Sequence, residues 1–242
     1  MIHMRRGSRF AALALALAAG AGPLVAQAQT RVSATYEGRL VIKLLDVRHD
    51  AALTPAGYRA GARISTGGLA GAVKPFALVV RSEGRRRGAA LASERYRQQQ
   101  GSKTRLVVFP APRAPGAVDP LTQLLRLQLR PQAAGPCAGR LAIYDGRQRY
   151  DLVFARAGSG AAEPRFAALG LADGRSCRVT FIPLSGFGGE KGRPPRPKSD
   201  IVARYAWSGA AQGWVLTGLA AGTPLGKAEL TLHDLQVVRA AR

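Results

Sequence analysis

Histidine, acidic side chains and cysteine are all scarce in this chain, and each shortage removes a class of chemistry. The 242 residues contain three histidines (His3, His49 and His233), fourteen carboxylates and two cysteines. A Ser-His-Asp triad needs a histidine beside an activated serine, and no G-x-S-x-G elbow occurs. There is no C-x-x-C, zinc spacing, phosphate loop or dinucleotide fingerprint, so neither a metal nor a cofactor is expected. The carboxylates are scattered without a context that pairs them, which disfavours a glycosidase. After the N-terminus no apolar run approaches the length of a membrane-spanning helix, so no transmembrane segment is expected.

The N-terminus does carry an apolar run, but a short one. Arg5, Arg6 and Arg9 precede the apolar residues 10–19, and Ala26-Gln27-Ala28 follows. That is the pattern of a secretory signal peptide cleaved after Ala28, which leaves residues 29–242 as a single β-rich domain in the periplasm or outside the cell. An oxidising compartment in turn makes one disulfide, Cys137 with Cys177, the expected fate of the only two cysteines. Export also argues against nucleic acid as a partner.

Positive charge is what the chain has in excess: 36 Lys and Arg against 14 Asp and Glu, a formal +22. Removing three signal arginines leaves 33 − 14 = +19. A charge of that size fits a polyanion or lipid head-group partner. A G+C-rich genome yields the same bias toward Arg, Ala, Gly and Pro without any binding role.

The clearest local structure is residues 139–154, GRLAIYDGRQRYDLVF. Asp145-Gly146 reads as a two-residue hairpin turn, which would pair Tyr144 with Arg147, Ile143 with Gln148, Leu141 with Tyr150 and Arg140 with Asp151. Leu141, Ile143, Tyr150, Leu152 and Phe154 then share an apolar face. Arg140, Arg147, Arg149 and Asp151 share a wet, basic one.

Elsewhere, residues 36–47 read as one long strand, and residues 49–57 as turn-like. Residues 58–65 form a strand with Arg59 and Arg63 on one face, and residues 67–74 a short helical turn closed by Pro75. Residues 84–102 fit a helix, a solvated hairpin or an arm. Asp119-Pro120 is a helix start, and Leu121, Leu124, Leu125 and Leu129 follow at helical spacing; residues 125–130 also alternate as a strand would, and the cap favours a helix. The Gly/Pro stretch 186–197 reads as an exposed loop. Residues 201–207 and 214–219 read as a hairpin, and His233 on the last strand as solvated.

Together these predict a mainly β fold with minor α, a single curved, mostly antiparallel sheet or open half-barrel carrying one or two short helices on its apolar face. Arg59, Arg63, Arg147, Arg149, Arg178 and Arg204 all fall opposite apolar residues, so the charge should coat the other face.

Several of these pieces carry a family resemblance. Asp119-Pro120-Leu121, Gly135-Pro136-Cys137, Tyr144-Asp145-Gly146-Arg147 with Arg149-Tyr150-Asp151-Leu152, Cys177 with Pro183 and Gly186-Phe187, and Thr223-Pro224-Leu225-Gly226 resemble domain-of-unknown-function family 3108 of Gram-negative bacteria. The early strands and the run Arg85-Arg86-Arg87 depart from it. The resemblance implies an exported β-rich domain and transfers no functional residue. A looser likeness is to periplasmic lipoprotein carriers, whose curved sheets wrap apolar cavities.

Two binding readings follow, both non-catalytic. An acyl ligand would lie against Leu141, Ile143, Tyr150, Leu152 and Phe154 under Leu121, Leu124 and Leu125, a set that is equally a closed core. Alternatively, an anionic polymer or lipid head group of the envelope would dock on Arg140, Arg147, Arg149, Arg178 and Arg204. A hydrolase acting through residues without a motif is the third reading.

Overall fold

The computed structural model describes residues 29–40, 42–73, 75–187, 201–223 and 226–240. Residues 1–28, read from sequence as a signal peptide, residues 188–197 of the Gly/Pro stretch, and Pro224 and Leu225 lie outside the described residues.

The chain opens with β1 (Thr30–Arg39), β2 (Lys43–Leu53) and β3 (Gly57–Thr66), then α1 (Gly68–Val73). It continues through β4 (Ala77–Arg87), β5 (Ala90–Gln100), β6 (Lys103–Val108), α2 (Pro120–Gln128), β7 (Gly139–Tyr144) and β8 (Arg149–Gly160). After α3 (Pro164–Ala167) come β9 (Leu171–Ser185), β10 (Ile201–Ser208), β11 (Gly213–Thr223) and β12 (Gly226–Arg239). The strands form one antiparallel sheet in the order β6-β5-β4-β3-β2-β1-β12-β11-β10-β9-β8-β7, which does not close into a barrel.

That order has one plain reading. Every strand pairs with its sequence neighbour except at two places, the central seam of β1 with β12 and the step from β6 to β7. The chain starts mid-sheet, walks out to one edge, crosses to the other edge and walks back. The crossing segment carries α2, and because it connects opposite edges of a curved sheet it runs through the concave side.

There α2 meets both halves of the sheet. Leu121 and Leu125 pack with Tyr58, Val80, Tyr96 and Phe109. Leu127 packs with Leu141, Phe154, Val179 and Trp214, beside the Cys137–Cys177 disulfide. Edge strand β7 is covered by the same crossing segment: Val118 donates to Ala142 O at 3.2 Å and accepts from Tyr144 N at 3.0 Å. Arg130 holds the exit loop through Pro136 O and Ala138 O, at 3.2 and 2.5 Å. No helix of the described residues is long and apolar enough to cross a membrane.

Several expectations are corrected. Residues 36–47 are not one strand; the chain reverses between Arg39 and Lys43, which stand opposite each other, and Ile42 is 52 % exposed. Lys43 anchors the reversal by pairing with Glu37 and Asp46, so an aliphatic run that looked central is a hairpin end. Residues 49–53 belong to β2 rather than a turn, and residues 84–102 are mostly the β4–β5 hairpin. The 139–154 hairpin has a four-residue connection, with Tyr144 opposite Arg149, Ile143 opposite Tyr150 and Leu141 opposite Leu152. Asp145 causes the shift: its carboxylate caps Arg147 N and Gln148 N at 2.8 and 2.6 Å, an Asx-type loop in place of the two-residue turn. A slip of two keeps the side-chain faces, so the apolar set is unchanged.

Deep in the concave side, His49 of β2 is buried and its Nε2 has no hydrogen-bond partner among the described residues. Burial pushes the imidazole down to about 4, and the nearby Asp50 carboxylate only partly opposes it. The folded pKa lies below the unfolded one, so the unfolded chain takes up the extra proton. The stability from neutral His49 is fully present above pH 6.5 and is lost as pH falls toward 4. Urea titrations should show about 3 kcal/mol lost across that window, and His49→Leu should flatten that part of the profile. A second expectation concerns the cross-link, whose two cysteines are 40 positions apart. Replacing both cysteines by alanine should lower unfolding free energy by roughly 4 kcal/mol in denaturant titrations.

Candidate functional site

Two polar arrays stand out, one on each face of the sheet. The concave one is built around Asp119, the N-cap of α2, which is 0 % exposed. Its Oδ1 accepts from Thr122 N at 3.0 Å. Its Oδ2 accepts from Ser82 Oγ of β4 at 2.9 Å, Ser93 Oγ of β5 at 2.5 Å and Thr122 Oγ1 at 2.6 Å. With the Thr122 proton committed to the carboxylate, Tyr58 of β3 donates to Thr122 Oγ1. Burial raises the Tyr58 phenol above its ordinary value, so it keeps that proton.

Two backbone features bring these hydroxyls together. A bulge at Glu83/Gly84 leaves Glu94 unpaired in the β4–β5 ladder and turns Ser93 inward although Tyr96 also faces inward. Gly84 allows the close approach, since a Cβ there would lie 2.0 Å from Ala92 O and 2.8 Å from the Tyr58 hydroxyl. Farther along the helix, Arg126 donates to Leu91 O of β5 and Gln123 Nε2 to Ala142 O of β7. The carboxylate is sealed and satisfied by four donors, so this array holds the helix in place; no substrate atom reaches it.

The outer array is open. Its centre is a groove of about 900 Å³ crossing β1 to β6 and β12, on the face opposite Tyr58 and α2. Six arginines line it, Arg31, Arg48, Arg59, Arg81, Arg95 and Arg97, against Asp50 and Glu83. The register arranges five of them in two rows, with Arg48 outside both, opposite Thr35 and Arg63. One runs Gln236, Ser33, Asp50, Gly61, Arg81, Arg97, Leu106, each directly opposite the next. The other runs Val238, Arg31, Ala52, Arg59, Glu83, Arg95, Val108. Small residues, Gly61 and Ala52, lie within the rows, and three of the four ends are aliphatic. Leu106, Val108 and Val238 are 60, 62 and 61 % exposed.

The carboxylates of the groove are already engaged. Asp50 takes Arg48 Nε at 3.2 Å and Ser33 Oγ at 2.6 Å, and Glu83 takes Arg95 Nε at 2.5 Å and Arg59 Nε at 3.9 Å. Pairs this exposed contribute little stability, which leaves the groove strongly positive. Its guanidinium forks suit carboxylate and phosphate groups and supply no nucleophile or proton acceptor. Among the described residues no group of three His, Cys, Asp or Glu could hold a metal ion.

The residues named from sequence are distributed differently. Leu141, Ile143, Phe154, Leu121 and Leu125 are buried, while Tyr150, Leu152 and Leu124 are half-buried, and α2 packs on this face. Buried Leu127, Thr122 and Gln123 show that α2 buries more than its leucine stripe. Arg140 pairs with Asp151, but diagonally, and Asp151 is buried rather than wet. Arg147 sits in the turn and not on a strand; Arg149 and Arg204 are half-buried, Arg178 exposed. None of these five lines the groove, whereas Arg59 does. Alternation on residues 48–52, 79–83 and 95–97 signals the outward arginines, yet only the pairing register makes them neighbours.

No family model matches the chain, and no curated protein matches it. Among solved structures it is similar to a beta-barrel-like protein of domain of unknown function DUF1849 from Brucella abortus, with 11 % identity and a TM-score of 0.48. That match covers 86 % of this chain and 98 % of the other.

The anchoring array makes a direct prediction. Asp119→Ala strands three hydroxyls and a backbone N–H in the core and should cost about 3 kcal/mol, read as a lowered denaturation midpoint.

Proposed function

We propose that this protein is an exported, non-catalytic binding protein of the cell envelope that holds an anionic component in the arginine groove on its outer sheet face. The observation that carries this reading is the groove itself, six arginines set by strand register against two carboxylates that are already paired. The disulfide and the Ala26-Gln27-Ala28 pattern support an oxidising location outside the inner membrane. The occupied concave side moves the interest from an internal apolar ligand to the outer surface.

Charge-dominated binding of this kind is screened by salt. Retention on an anionic matrix, or on vesicles rich in anionic lipid, should therefore weaken roughly tenfold or more between about 0.05 and 0.5 M salt. A triple Arg59→Gln, Arg81→Gln, Arg97→Gln variant should lose most of that retention, and a triple Arg113→Gln, Arg156→Gln, Arg178→Gln variant of equal charge should keep most of it. Elution of the wild-type protein together with a neutral control at low salt would refute the reading.

A further inference from the structure

Within the groove, Arg81 and Arg97 differ from their neighbours. They sit directly opposite each other on β4 and β5, a placement in which like charges are destabilising. Both are exposed, and among the described residues neither has an ion pair or a hydrogen bond. Arg48, Arg59 and Arg95 take up the only two carboxylates of the groove, and Arg31 leans on Gln29 Oε1 at 3.4 Å. A sheet ladder that sets two unpartnered arginines directly opposite each other lets both guanidiniums reach one doubly charged anion. A phosphate monoester matches this, with its charge close to −2 and three acceptor oxygens.

What flanks the pair narrows the ligand. On one side lies Gly61, which has no side chain to close the groove; on the other lies Leu106, exposed, with Val108 beside Arg95. A hydrophilic polyanion makes no use of that aliphatic end. An acyl chain does, and the arginine stems add apolar length along its path. The volume of about 900 Å³ is within the range of sites that enclose one small molecule.

We infer that Arg81 and Arg97 form the head-group site for a single anionic amphiphile, a phosphate monoester whose alkyl chain lies on Leu106 and Val108. This assignment rests on the anion-binding reading of the groove and adds the ligand class to it.

Calorimetric titration tests it with four probes: dodecyl phosphate below its micellar concentration, inorganic phosphate, dodecyl maltoside and polygalacturonate as a chain-free polyanion. The wild-type protein should bind dodecyl phosphate with one-to-one stoichiometry, at least ~10-fold tighter than inorganic phosphate because the chain adds apolar burial. Dodecyl maltoside should not bind measurably. Arg81→Gln with Arg97→Gln should weaken dodecyl phosphate by about 10-fold or more, and the charge-matched pair Arg113→Gln with Arg178→Gln by less than about 3-fold. Leu106→Ser should weaken dodecyl phosphate and leave inorganic phosphate unchanged. All of these positions are exposed, so unchanged melting curves confirm that each variant is folded.

Equal losses in the two double variants would overturn the Arg81–Arg97 site while leaving general anion binding by the groove intact. Inorganic phosphate or polygalacturonate binding as tightly as dodecyl phosphate would overturn the amphiphile. Failure of the wild-type protein to bind any anionic probe would overturn both the site and the function it rests on.

Discussion

A buried carboxylate at the start of one helix holds this molecule in shape. The chain must travel from β6 to β7, the two edges of its sheet, and the segment that does so carries α2 across the concave face. A helix start there turns N–H groups into a buried interior, where unpaired donors cost free energy. Asp119 resolves this by capping Thr122 and gathering hydroxyls from β4 and β5, with Tyr58 of β3 behind them. One residue thus satisfies the helix end and ties it to three strands.

The rest of the interior follows from that anchor. With α2 fixed, Leu121 and Leu125 fill one half of the sheet and Leu127 the other, and the disulfide with Arg130 determines how the chain leaves toward β7. The edge of β7 is blunted by Val118, which occupies Ala142 O and Tyr144 N and so shortens the ladder that an open sheet would offer to other chains. On the outer face, strand pairing lines up arginines that are far apart in the sequence.

Sequence and structure agree most where a signal is local. Asp119-Pro120 marks the start of α2, the alternation in residues 58–65 marks β3, and Leu141, Ile143 and Phe154 are core residues. Disagreement arises where two local signals compete. Asp145-Gly146 suits a tight turn, but the Asp145 carboxylate caps two N–H groups and opens the loop. The aliphatic residues 40–42 suit a central strand, but the charged neighbours Glu37, Lys43 and Asp46 bend the chain there. Strict alternation also places Ser93 outward, and a bulge, invisible without the partner strand, turns it in.

By itself the sequence determined the kind of fold, the pairing of its two cysteines and the helix start, because patterning, cysteine number and capping act over a few residues or leave no choice. It also determined that arginines would alternate with core residues along the strands. Only the tertiary structure decided which arginines meet. Neighbours in a ladder depend on register, register depends on loops and bulges, and so Arg81 comes to stand against Arg97 while Arg147 is left in a turn.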